Sequence, residues 1–196
     1  MLKQFSDKRI WLSVPLGITA AIALTQLINI IGLFNVFPKY SEEVQPRMFM
    51  LPLETGIVLY GVITPVIEET IFRWMFFGRL KIYMATAAAA IGSSIIFGIY
   101  HGNLIQFIYA SLFGLILCFV YWRFDGVAAS MLTHGAANIA SYVTALVPFF
   151  KFMGTLRGQI ISCLVCMILM FFIIRYMYDT RPADRSEVKK YIFPQK

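Results

Sequence analysis

Charge is scarce in this chain. Of its 196 residues, 14% are Asp, Glu, Lys or Arg, while 59% are hydrophobic. A soluble domain carries about a quarter charged residues and under half apolar ones. One water-exposed domain could not hide this much apolar surface, which excludes an ordinary soluble enzyme and makes membrane lipid the expected surroundings. Cysteine is scarcer still. Cys118, Cys163 and Cys166 all lie in apolar runs, so they do not form an extracellular disulfide framework. Cys163 and Cys166 make a C-x-x-C without a second pair and read as small packing residues. Also missing are H-E-x-x-H, G-x-S-x-G, a Walker A loop and a dinucleotide fingerprint. Only two histidines are present.

Missing too is any basic helix with interleaved aromatics outside the apolar runs. The formal net charge of +7 therefore does not point to nucleic acid. The basic residues sit in short segments between apolar stretches, as in loops facing an anionic cytoplasmic leaflet.

What is present is a series of long apolar runs. A spanning helix needs about 20 mostly apolar residues, and six segments qualify or nearly do: 10–34, 51–77, 84–100, 104–122, 127–148 and 158–178. The expected fold is all-α, a single polytopic transmembrane bundle of about six spans over 1–196, with a polar tail at 179–196. The N-terminus has the basic start and Ala21-Ile22-Ala23 of a signal peptide. Its apolar character continues to Phe34, however, so an uncleaved first span is expected. Lys and Arg divide twelve to four between alternate sides, which places both termini in the cytoplasm. The run Ala85-Thr86-Ala87-Ala88-Ala89-Ala90, followed by Gly92, Ser93 and Ser94, predicts a slim third helix at the centre of the bundle.

Ionisable groups inside spans are costly, at about 2.5–3.5 kcal/mol at a helix centre on insertion scales. Here they concentrate in three places. Glu68 and Glu69 precede Arg73 on the second helix; Phe97 and His101 end the third; His134 and Asn138 lie on the fifth. Glu69 and Arg73 are at i, i+4 and can pair, whereas Glu68 is rotated about 100° away and needs a different environment. A carboxylate beside a neutralised neighbour suits a general base; the same three residues could equally form an ion network that locks helices together. Ser130, His134, Asn138 and Ser141 make one polar stripe. It could stabilise an oxyanion or simply hydrogen-bond adjacent helices. On the third helix Ser94, Phe97 and His101 share a face, with Phe97 placed to orient the imidazole. Gln106, Tyr109 and Phe113 repeat that spacing on the fourth.

Two imidazoles and one or two carboxylates from three helices suffice for a water-activating hydrolase. Glu68, His101 and His134 form a His₂Glu set of the kind that holds catalytic zinc. Without metal, Glu68 and His101 could activate water while His134 and Asn138 hold the oxyanion.

The ordered trio E-E-x-x-x-R, F-x-x-x-H and H-x-x-x-N, carried here by Glu68-Glu69 with Arg73, Phe97 with His101, and His134 with Asn138, resembles the CPBP intramembrane proteases, also called the CAAX-protease and bacteriocin-processing or Abi family. It covers about seventy residues in the middle of the chain. The resemblance implies an all-helical membrane fold enclosing the site and an endopeptidase acting on a membrane-associated protein or peptide. It further implies that Glu68 and His101 prepare water, that His134 and Asn138 stabilise the tetrahedral intermediate, and that Glu69 and Arg73 support Glu68. Both a zinc and a metal-free glutamate mechanism are argued for the family. The compact size is similar to the bacterial branch, implying a bacterial cell membrane and roles in peptide maturation, signalling or bacteriocin immunity.

Two other readings compete: a non-catalytic immunity factor or intramembrane regulator, and an ion or proton pathway. The absence of a visible internal repeat weakens the second. Depth poses a further question. At 1.5 Å per residue, Glu68 lies about 16 Å from Arg79 and His134 about 14 Å from Asp125, but His101 lies about 30 Å from Lys81. Convergence of the three requires a tilted third helix or a connection that dips into the protein.

Overall fold

The computed structural model describes residues 7–181; the expected surface position of the polar tail falls, from residue 182 on, outside the described residues. Six principal helices follow one another: α1 (Lys8–Ile30), α2 (Leu53–Tyr83), α3 (Thr86–Tyr100), α4 (Leu104–Phe124), α5 (Val127–Leu146) and α6 (Leu156–Asp179). No strand occurs among the described residues. Local chemistry sets the boundaries. Asp7 caps the 3-10 turn that opens α1, and α1 gives way at Gly32, which takes a left-handed φ of 74° that a side chain would resist. Asn103 caps α4 by accepting from the Gln106 amide, and Thr155 caps α6 by accepting from that of Gly158.

Among the described residues, four helices (α1, α2, α4 and α6) are long and apolar enough to cross a membrane, or five if α5 and the short helix Pro148–Gly154, bent 92° from it, count as one span. The expectation of six is corrected at α3, whose 15 residues fall short of a full crossing. A second correction concerns the centre. The alanines before Ala89 on α3 are exposed, as are Ile91, Ile95, Ile96 and Ile99. The helix packs through Ser93, Ser94, Phe97 and Gly98 against α2 and α4. The central position belongs to α5, which contacts α1, α2 and α4. Its buried Ala128, Ala129, Gly135, Ala137 and Ala140 let neighbouring backbones approach. Small residues set the centre, as expected, but the decisive set is on α5.

One end of the bundle is clasped by Arg123. This side chain is buried near the end of α4, and its Nε donates to the Met177 carbonyl at 2.6 Å. Its Nη2 donates to the Thr180 carbonyl at 3.1 Å and to Asp7 Oδ2 at 3.4 Å. Arg9 Nη1 reaches the same Thr180 carbonyl at 3.0 Å. The last carbonyls of α6 lack partners within their own helix, so arginines from α4 and α1 satisfy them and tie both ends of the described chain together.

Candidate active site

The second helix is not a uniform rod. Ordinary α-helical turns at Leu53–Val58, Thr64–Glu69 and Gly78–Tyr83 alternate with π-helical turns at Leu59–Ile63 and Thr70–Phe77. Such widened turns occur frequently at functional sites. Here they flank the short segment that carries both glutamates, and Pro65 lies within it.

Against this helix α5 runs antiparallel in a definite register. Glu69 meets His134, Gly61 meets Gly135, Tyr60 meets Asn138 and Gly56 meets Tyr142. The Gly61 carbonyl comes so close to Gly135 that any Cβ there would collide with it, so the glycine sets the helix separation. With the backbones this near, side chains on either side of the contact reach across. The Glu69–His134 bond and the Asn138–Tyr60 bond follow from that one close approach.

Glu69 is the hub. Its side chain is fully buried, and Oε1 accepts from Arg73 Nη1 at 3.1 Å and from His134 Nδ1 at 2.9 Å. The expected Glu69–Arg73 pair is therefore present, and the bond to His134 was not foreseen. Arg73, equally buried, lies over the Phe97 ring at 4.1 Å. Glu69 Oε2 and Arg73 Nε and Nη2 are buried without a hydrogen-bond partner among the described residues.

Glu68, also buried, places Oε2 3.7 Å from His134 Nε2. His134 is thus held at Nδ1 by one carboxylate and faces the other with Nε2. Its ring lies edge-on to Phe97 at 5.9 Å and to Phe113 at 5.7 Å. Phe113, on α4, is a positioning contact that sequence reasoning placed on a face but did not connect to His134.

On the depth of His101, the packing of α3 on α2 is informative. Ser93 Oγ donates to the Phe72 carbonyl at 3.0 Å, the Phe97 ring packs on Phe72 at 5.0 Å, and Tyr100 packs on Phe72 at 5.3 Å. These contacts lay the last two turns of α3 against α2 around Phe72. His101 hydrogen-bonds through Nδ1 to the Phe97 carbonyl at 2.8 Å, and its ring meets that of Phe97 edge-on at 4.8 Å. Donation from Nδ1 to a carbonyl leaves Nε2 as the imidazole's free nitrogen. One aromatic ring, Phe97, therefore touches Arg73 and both histidines.

Asn138 makes the inter-helix hydrogen bond that the polar stripe allowed for. Its Nδ2 donates to the Tyr60 carbonyl at 2.8 Å, so one of its two N–H groups serves the helix contact. Ser130 bonds its own helix at the Val127 carbonyl and adds nothing to the site. A recess of about 330 Å³ lies beside Tyr60, lined also by Glu43, Val44, Arg47, Met48 and Gln106. Gln106 Nε2 reaches Met48 Sδ at 3.2 Å, and Asn103, which bonds the His101 carbonyl, also bonds Gln106.

For zinc, the anchoring of both imidazoles at Nδ1 is the arrangement that metal-bound histidines use. Even so, among the described residues no three His, Cys, Asp or Glu side chains are grouped to hold one ion. The arrangement does not fit a three-ligand centre.

Comparison with known proteins gives two findings. A family model described as Type II CAAX prenyl endopeptidase Rce1-like matches residues 52–140, a segment that contains Glu68, Glu69, Arg73, Phe97, His101, His134 and Asn138. The chain is also similar to the "Putative membrane peptidase YdiL" of Bacillus subtilis (strain 168), at 29% identity over 92 residues, or 47% of this chain. That match covers 38% of the relative's length. No solved structure matches the chain significantly.

Proposed function

We propose that this integral membrane protein, whose residues 52–140 match an Rce1-like family model, is a CPBP-type peptidase that hydrolyses a peptide bond of a membrane-associated protein or peptide. The observation that carries the reading is the pairing of Glu68 with His134 at 3.7 Å while Glu69 fixes the far side of the same imidazole. With a proton on both nitrogens of His134, the two carboxylates, the guanidinium and the imidazolium would balance in charge. That balance is what makes such a buried cluster tolerable.

In this reading Glu68 takes a proton from a water that His101 helps to hold, and the water oxygen bonds to the substrate's carbonyl carbon. The developing oxyanion accepts from His134 Nε2–H and the second N–H of Asn138. Glu68 then returns its proton to the departing amide nitrogen as the C–N bond breaks, giving an acid and an amine. His134 must be the imidazolium to donate from Nε2, because Nδ1–H is committed to Glu69. The Arg123 clasp, with its arginines, is supported as the cytoplasmic end by the twelve-to-four charge asymmetry.

The test is purified protein assayed for cleavage of a membrane-inserted peptide, alongside its metal content. A general base contributes about 10²–10⁴-fold. Glu68→Gln is therefore expected to lose about that much in rate while melting at the wild-type temperature. Wild-type rates in Glu68→Gln and His134→Ala would reject the proposal. Stoichiometric zinc, with activity lost to a chelator and restored by the metal, would replace the water-and-glutamate scheme with a metal one.

A further inference from the structure

The Asn138–Tyr60 bond, made across the Gly61–Gly135 contact, ends on a carbonyl that faces a proline in its own helix. In the π-helical turn Leu59–Ile63, the Thr64 amide donates back to the Leu59 carbonyl. The donor next in line for the Tyr60 carbonyl is residue 65, and residue 65 is proline, which has no N–H. A carbonyl partly shielded from water is better satisfied by a donor than left without one, and α5 supplies one from Asn138 Nδ2 at 2.8 Å. A carbonyl can only accept. It therefore fixes which end of the Asn138 carboxamide faces α2, the NH₂ and not the oxygen. The second N–H of Asn138 then stays on the nitrogen edge, one helical turn from His134 and on the same face.

We infer that Pro65 is a positioning residue for the reaction: by withholding a hydrogen from the Tyr60 carbonyl, it reserves that carbonyl for Asn138 and so sets the carboxamide with one N–H free for the oxyanion. This rests on the peptidase reading given above. Pro65 touches no substrate and acts through Asn138. Its buried position and its place four residues before Glu69 put it on the face that meets α5.

The experiment restores the missing hydrogen. Pro65→Ala supplies a backbone N–H that competes for the Tyr60 carbonyl. Replacing Pro65 with lactic acid gives the same methyl side chain on an ester, again without the N–H. Expected is a fall in kcat of about 3–10-fold for Pro65→Ala at unchanged KM, a small part of the roughly 10²–10³-fold of a lost oxyanion donor, and wild-type kcat for the lactate variant. Adding Asn138→Ala should cost less in the Pro65→Ala background than in the wild type, because the two changes act through one bond. A ¹³C=¹⁸O label at the Tyr60 carbonyl alone reads the bond without activity. Its infrared band should shift on Asn138→Ala when residue 65 is proline and hold still when it is alanine. Equal kcat in the alanine and lactate variants, or a band that ignores residue 65, would overturn the inference. The expected band shifts in a protein that cleaves nothing, with Glu68→Gln indistinguishable from wild type, would keep the bond but reject the peptidase reading and the positioning role with it.

Discussion

His134 Nδ1 lies 2.9 Å from Glu69 Oε1, and Arg73 Nη1 lies 3.1 Å from the same oxygen. One carboxylate oxygen thus joins the guanidinium on its own helix to the imidazole on α5. Its neighbour Glu68 is left to face the other side of that imidazole at 3.7 Å. The adjacent glutamates divide the work by helical geometry, since side chains one residue apart point about 100° apart. In the proposed reaction Glu69 holds the framework, and Glu68 is the carboxylate left for chemistry.

Removing Glu69 leaves Arg73 buried and unpaired. Glu69→Ala is expected to destabilise the protein by about 3–5 kcal/mol, the usual loss when one partner of a buried ion pair is removed. Replacing both charges, as in Glu69→Leu with Arg73→Met, should recover most of that stability. It should not recover cleavage, because His134 Nδ1 stays without its acceptor. Melting in detergent and cleavage rate, read on the same three proteins, check both halves. A double variant as active as wild type would show that Glu69 is purely structural.

A methyl group at residue 135 has no room beside the Gly61 carbonyl. Gly135→Ala must push α2 from α5, and overpacking of this kind typically costs about 1–3 kcal/mol. The same displacement lengthens the Glu69–His134 and Tyr60–Asn138 bonds that flank the contact, so the rate should fall further than the stability loss explains. Gly92 has open space around it, and Gly92→Ala serves as the control, expected to keep both rate and melting temperature.

The Phe113 ring packs edge-on to His134 at 5.7 Å from a third helix. Phe113→Leu keeps much of the volume and should cost about 1 kcal/mol or less in stability, in line with other hydrophobic swaps of similar size. The imidazole loses one wall, however, and cleavage should slow several-fold. An unchanged rate would show that Glu69 and Phe97 suffice to orient His134.

Much of this was legible in the sequence. Long apolar runs gave the helices, and i, i+4 spacing gave the Glu69–Arg73 pair, because both signals are local. The rest depends on helix register, which the pattern does not carry. Which imidazole Glu69 would hold, and how His101 comes to share the Phe97 ring with His134, emerged only from Gly135 against Gly61 and Phe97 against Phe72. The third helix read as central because its alanines are dense. The structure spends that density on an exposed surface and packs α5 inside. Pro65 was the unused signal, since a proline in mid-helix announces a freed carbonyl and hence a partner from elsewhere.

The Arg123 clasp also makes stability depend on pH through Asp7, which lies just before the first span. Burial on its own raises the Asp7 carboxyl. The hydrogen bonds from the Arg9 side chain and backbone, with the charges of Arg9 and Arg123, together outweigh burial and hold it below its ordinary value. A carboxyl depressed in the folded state stabilises that state above the unfolded value and loses its contribution as pH falls through the folded one. The contribution should thus be complete above about pH 5 and fade only below about pH 4, the ordinary range of an aspartate. Asp7→Asn should melt below the wild type near neutrality, and the two curves should converge as the pH drops below about 4. A gap that stays constant across that range would mean that Asp7 acts on the clasp by its shape and hydrogen bonds alone, with no part played by its charge.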